Sequence, residues 1–236
     1  MALIEVKNLS VAYGDVQVLW GINLEIEEGK IIALVGSNGS GKSTFLKALS
    51  GLLPYKEGDI IFKGESLKSL TSEDIVKRGI IHVPEGRRLF PDMTVEENLL
   101  MGAYIRGNDP SIKEDLDYVY TTFPRLKERR LQKAGSLSGG EQQMVAIGRG
   151  LMGKPEVFIV DEMSLGLAPL IVDNLIEIIK KINSDGKTVL LVEQDVQLAL
   201  ENSDYAYVLD TGKIAMEGLS KDLLQNPEVK KVYLGM

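Results

Sequence analysis

The 236-residue sequence predicts an α/β fold with a core of parallel strands and helices, an antiparallel β subdomain and an inserted helical subdomain. Three observations carry this. Ile31-Ile32-Ala33-Leu34-Val35 is a short, fully apolar run of the kind buried on both faces of a parallel sheet. It leads through a glycine-rich segment into Phe45-Leu46-Lys47-Ala48-Leu49-Ser50-Gly51, a helical stretch closed by glycine. From Thr94 to about Gly153 the β-branched runs thin out and apolar residues recur at helical spacing, after which strands and helices alternate again.

Each element has a local reason. Leu3 to Lys7 and Gln17 to Ile26 alternate apolar and polar as strands do, with Gly14-Asp15 as the turn between them. Glu28-Gly29-Lys30 turns the chain into the apolar strand, and a helix is expected from about Thr44. Gly58 to Phe62 is a further strand, ended by Lys63-Gly64. Residues 86–155 read as the helical lobe, interrupted at Asn108-Asp109-Pro110-Ser111, where a new helix can start. Beyond it come strand Val157–Val160, helix Pro169–Asn183, strand Thr188–Val192 and helix Asp195–Glu201. Strands Tyr205–Leu209 and Lys213–Glu217 close the pattern around Thr211-Gly212. This gives one domain over residues 1–236, with 1–85 and 156–236 forming the core and its β subdomain.

Composition narrows the function classes. With 27 basic and 34 acidic residues the net charge is −7, which disfavours a general nucleic-acid binder. The basic stretch Arg125, Lys127, Arg129, Arg130 and Lys133 reads as a solvated helix face or a subunit contact. There is no cysteine, so disulfides and thiolate metal sites are excluded. The single histidine, His82, reads as a strand residue and cannot supply a metal cluster. No apolar run approaches the roughly 20 residues that span a membrane, and no charged-then-apolar leader is evident; both favour the cytoplasm.

The segment Gly36-Ser37-Asn38-Gly39-Ser40-Gly41-Lys42-Ser43-Thr44 has the pattern G-x-x-x-x-G-K-S. Its glycines let the backbone wrap an anion with N–H donors, Lys42 reaches β- and γ-phosphates, and Ser43 offers a hydroxyl to Mg²⁺. The following helix points its positive end at the same anion. A plain glycine-rich turn needs neither Lys42 nor Ser43. Val157-Phe158-Ile159-Val160-Asp161-Glu162 sets two carboxylates at the C-terminal end of a buried strand, where open α/β sheets bind ligands. Asp161 suits the Mg²⁺ shell, and Glu162 suits a water-activating base. Leu137-Ser138-Gly139-Gly140-Glu141-Gln142-Gln143 precedes a helical stretch and makes a second anion-binding surface at its start.

In this order and spacing, Gly36–Ser43, Leu137–Gln143 and Phe158–Glu162 resemble the nucleotide-binding subunit of an ABC transporter, over essentially the whole chain. The resemblance implies a P-loop NTPase (ABC ATPase) core that binds ATP with Mg²⁺. It implies a head-to-tail pair of cassettes, each ATP lying between one chain's phosphate loop and the other's signature. Ser138, Gly139 and Gly140 would then act on the partner's nucleotide. By the same resemblance Tyr13 would stack on adenine, Glu85 would stand where glutamine is usual near the metal, and Gln194 where many members have histidine beside the γ-phosphate. Met163 stands where proline is usual. Gln194 can donate a hydrogen bond to phosphate but carries no charge.

Val83-Pro84-Glu85-Gly86-Arg87-Arg88-Leu89-Phe90-Pro91, Ser164-Leu165-Gly166-Leu167-Ala168-Pro169 and Leu191-Val192-Glu193-Gln194 resemble one ATPase subunit of branched-chain amino-acid importers. That implies a related second ABC ATPase subunit as partner, with homodimerisation of the isolated chain as the alternative. It also implies two membrane permease subunits contacted by the loop from Gly86 to Leu99, an extracytoplasmic binding protein, and a place on the inner face of the membrane. The alternatives are the ATPase subunit of another ABC transporter, for urea, lipopolysaccharide or another substrate, or a soluble ABC ATPase outside transport.

Overall fold

The computed structural model describes residues 2–233. In chain order the elements begin β1 (Ala2–Tyr13), β2 (Val16–Glu27), β3 (Ile31–Val35), α1 (Lys42–Leu49), β4 (Glu57–Phe62), β5 (Glu65–Ser66), α2 (Ser72–Lys77) and β6 (Ile80–Val83). Four helices follow: α3 (Val95–Met101), α4 (Ile112–Thr122), α5 (Pro124–Glu128) and α6 (Gly139–Leu151). Then come β7 (Val157–Asp161), α7 (Pro169–Ser184), β8 (Thr188–Glu193), α8 (Val196–Glu201), β9 (Tyr205–Asp210) and β10 (Lys213–Leu219), ending with α9 (Ser220–Leu223) and α10 (Pro227–Tyr233).

Two sheets form. One has the order β2-β1-β4-β5 and is antiparallel. The other has the order β10-β9-β3-β8-β7-β6 and is parallel except for β10, which folds back against β9. Strand β1 runs on to Tyr13, past the expected end at Lys7. The reason is a bulge: Asn8 sits at φ 49°, with its N–H donating to Asn23 Oδ1 at 2.9 Å. The side-chain alternation breaks there while strand pairing continues.

The main sheet divides two cores. Ile31, Ala33 and Val35 of β3, with Phe158 and Val160 of β7 and Val189 and Leu191 of β8, face one side and pack with the helices. Ile32 and Leu34, with Val157, Ile159, Leu190 and Val192, face the antiparallel sheet and α1, where Phe45, Leu46 and Leu49 fill the gap. Every residue of β3, β7 and β8 is buried, so the period of two shows only in which core each side chain joins.

On the helical side, α6 lies directly on the sheet through Gly150. A Cβ there would stand 2.6 Å from Val83 Cγ2 and 2.8 Å from Phe158 Cε2, so no other residue permits this approach. Asn98, with no exposure, holds the segment entering α3. It accepts from the Phe90 N–H at 2.9 Å and donates to the carbonyls of Phe90 at 3.0 Å and Thr94 at 2.9 Å. Asn98→Ala orphans these buried groups and is expected to lower unfolding stability by about 2–3 kcal/mol, read from urea denaturation; an unchanged midpoint would show that the segment does not depend on them.

Candidate functional site

The phosphate-loop segment leaves the sheet at the C-terminal end of β3 and enters α1. A Cβ on Gly36 would lie 2.3 Å from Leu209 O and 2.6 Å from Ser40 Oγ, so the loop packs onto β9 only with glycine there. The Gly212 N–H donates to Ser40 O at 2.8 Å and ties the loop to the β9–β10 turn. Helix α1 starts at Lys42, two residues before the expected Thr44, because Gly41 at φ 115° makes the break. No side chain caps that first turn, which leaves its N–H groups facing the loop.

Lys42 is 4% exposed. Its ammonium donates to the carbonyls of Gly36 at 2.8 Å and Ser37 at 3.3 Å and pairs with Glu162 Oε1 at 3.3 Å. Glu162 lies just past β7 at φ 45°, a left-handed conformation that costs about 1–3 kcal/mol and persists only where the surroundings impose it.

Two clefts flank this pair. One, of about 720 Å³, is lined by Ser43, Lys47, His82, Glu85 and Asp161, so the three residues expected at a metal share one groove. The other, of about 520 Å³, is lined by Glu162, Ser164, Glu193 and Gln194. Tyr13 stands beside α1, its ring centroid 5.7 Å from Lys47 Nζ. Ser138, Gly139 and Gly140 line neither cleft. They begin α6 in a capping box, in which Ser138 Oγ accepts from the Glu141 N–H and the Glu141 carboxylate accepts from the Ser138 N–H. Glu141 also pairs with Arg129 at 2.6 Å, and Lys133 pairs with Asp92, so part of the basic stretch is spent on local ion pairs.

Among the described residues no group of three His, Asp or Glu side chains could hold a metal alone. The hydroxyl of Ser43 with the carboxylates of Asp161 and Glu85 still fits Mg²⁺, which takes one or two carboxylates and completes its shell from water and substrate phosphates.

A sequence profile described as ABC transporter matches residues 19–164. The chain belongs to the ABC transporter family. It is 46% identical, over 99% of its length and 100% of the relative's, to the high-affinity branched-chain amino acid transport ATP-binding protein BraG of Pseudomonas aeruginosa. Its fold matches the ADP conformation of MJ1267, an ATP-binding cassette of an ABC transporter, with TM-score 0.89, 28% identity and full coverage of both chains. It also matches the dimeric post-hydrolysis state of the cassette MJ0796 bound to ADP and Pi, with TM-score 0.81 and 25% identity over 92% of this chain and 98% of that one.

This ABC cassette has site features that sequence reasoning left out. His82, read as a strand residue, is one, but its Nε2 stands 3.8 Å from Asp161 Oδ2 and its Nδ1 3.2 Å from Ser50 Oγ, beside the carboxylate that ends β7. Met163 is 1% exposed and anchors the Glu162 turn in the helical core. Glu193 is 1% exposed and accepts from Ser164, from its N–H at 3.2 Å and its hydroxyl at 2.9 Å. The available signal was a carboxylate closing an otherwise apolar strand.

Burial pushes the Glu193 carboxyl up to about 7; the hydrogen bonds from Ser164 oppose this, and the nearby Glu162 charge adds to it. The folded protein therefore holds this proton more tightly than the unfolded chain, whose value is near 4.5. Stability contributed here is present below pH 4.5 and is lost as pH rises through about 7. Between about pH 4.5 and pH 8 the wild type is expected to lose on the order of 3 kcal/mol more than Glu193→Gln, measured by urea denaturation; parallel pH profiles would contradict the assignment.

Proposed function

We propose that this chain is the ATP-hydrolysing subunit of an importer for branched-chain amino acids, working on the membrane's inner face. The observation that carries the hydrolytic role is the pair of buried Lys42 and largely covered Glu162, which sets the phosphate-loop cation against the carboxylate at the end of β7. The likeness to BraG supports the substrate class.

In this reading the triphosphate lies across the N–H groups of Gly36–Thr44, where α1 and Lys42 balance its charge. Its entry draws the Lys42 ammonium from the Gly36 and Ser37 carbonyls toward the β- and γ-phosphates and frees Glu162 to accept a proton. Glu162 takes that proton from a water aimed at the γ-phosphorus, and Gln194, on the same cleft, donates to the γ-phosphate. Ser43, Asp161 and Glu85 would hold Mg²⁺, which neutralises developing phosphate charge when bound. Tyr13 would stack on the adenine.

Ser138, Gly139 and Gly140, lying off both clefts, serve the nucleotide of a second, related cassette packed head-to-tail. The dimeric MJ0796 structure supports such pairing. Two permease subunits dock along Gly86 to Leu99, the loop before α3 and the start of that helix, with an extracytoplasmic binding protein beyond them. Among the described residues no helix is long and apolar enough to cross a membrane. The loop is joined to the signature helix: Arg87 donates to Gln142 at 3.1 Å, and Arg149 donates to Arg87 O at 3.0 Å. Closure of the cassettes on ATP thus moves the signature helix and the permease-facing loop together, and hydrolysis reopens them.

Two outcomes are expected in a transporter reconstituted with its permeases and binding protein. Glu162→Gln keeps ATP affinity within about threefold but slows hydrolysis at least about 100-fold; near-normal turnover would remove Glu162 as the base. Leucine, isoleucine or valine stimulates ATPase and is taken up with ATP; stimulation by an unrelated solute alone would overturn the substrate class.

A further inference from the structure

The turn bearing Glu162 is held at three points. The Glu162 N–H donates to Val192 O at 2.8 Å, and the Met163 side chain is sunk in the core. The third point is the clasp between Glu193 and Ser164, in which both carboxylate oxygens are engaged, one by the Ser164 N–H and one by its hydroxyl. Burying a carboxylate without a cation is costly, and among the described residues none pairs with Glu193. An apolar side chain would fill the end of β8 at less expense, so packing alone does not explain Glu193.

The placement of the clasp suggests what it does. Ser164 is two residues beyond Glu162, and Gln194 immediately follows Glu193, so one contact joins the two segments that flank the second cleft. Without it, the left-handed φ of 45° at Glu162 loses a restraint and the backbone relaxes toward common conformations. The carboxylate then swings away from Lys42.

We propose that Glu193 is a positioning residue for hydrolysis: by clasping Ser164 it locks the Glu162 turn to the end of β8 and fixes Glu162 relative to Gln194. This rests on the reading of Glu162 as the base. The clasp acts on the attacking geometry and not on nucleotide capture, which belongs to the loop from Gly36 to Thr44 on the other side of Lys42.

The test measures steady-state ATP hydrolysis and nucleotide affinity in the assembled complex for Ser164→Ala, Glu193→Ala, the double variant and Ser164→Thr. Each alanine variant is expected to lower kcat by about tenfold or more while KM and the ATP Kd stay within about twofold, since a misplacement near 1 Å costs about 100-fold. The double variant should lose no more than the worse single one, because both remove the same contact. Ser164→Thr keeps the N–H and hydroxyl and should recover to within about threefold of wild type. Unchanged kcat in Ser164→Ala, additive losses in the double variant, or a drop in melting temperature with kcat intact in Glu193→Ala would each overturn the proposal. Should Glu193→Ala fail to fold, Ser164→Ala on its half-buried turn decides alone. Glu162→Gln in the same assay separates the two readings: turnover retained there removes the base, whereas turnover lost there but kept in the alanine variants removes only the clasp.

Discussion

Val35 of β3 lies opposite Glu193 of β8, and Val192 of β8 lies opposite Asp161 of β7; the rest of the structure depends on this parallel register. It brings three segments far apart in sequence to the C-terminal end of the sheet at nearly the same level. The phosphate loop leaves after Val35, the Gln194 turn after Glu193, and the Glu162 turn after Asp161. Strand β6 joins them, with Val83 opposite Val160, so Glu85 emerges beside Asp161. The register is enforced by the cores. A slip of one residue would send Ala33 and Val160 toward the antiparallel sheet and Ile32 and Ile159 toward the helices, mismatching both cores at once. The accuracy of the site is therefore inherited from apolar packing, and no polar residue has to supply it alone.

On that frame, the charged groups are held tightly and locally. Lys42 and Glu162 are both nearly excluded from water, so each answers to the other more than to solvent. The left-handed turn at Glu162 shows that the carboxylate is held by its surroundings and not by its own backbone preference. Further out, Asn98, Arg87 and Arg149 fasten the loop beyond Glu85 to the helical side. Burial lowers the Arg149 guanidinium from its ordinary value, and the Phe90 ring stands 5.6 Å from it. Loop and signature helix are thus joined by side chains at two places.

Much of this was legible from particular residues. The apolar runs at 31–35 and 157–160 announced strands buried on both faces, and the glycines before Lys42 and Ser43 announced the turn from the first of them into α1. Asp161 and Glu162 were legible because two carboxylates ending an apolar strand oppose the hydrophobic pattern. The continuation of β1 beyond Lys7 was not legible, because a bulge at Asn8 breaks the alternation that marks a strand while the hydrogen bonds run on. His82 and Glu193 were in view as letters, but their roles depend on neighbours 79 residues away (Asp161) and 29 residues away (Ser164), which only the register supplies. Met163 looked like a departure from family habit. In the fold it is a core residue that pins the turn.

The most direct test of the strand-end site is a crystal structure of Glu162→Gln with ATP and Mg²⁺. The γ-phosphate should lie within hydrogen-bond reach of Lys42 and Gln194, and the metal should contact Ser43 and Asp161. A nucleotide bound elsewhere, with Lys42 still on the Gly36 and Ser37 carbonyls, would contradict the account.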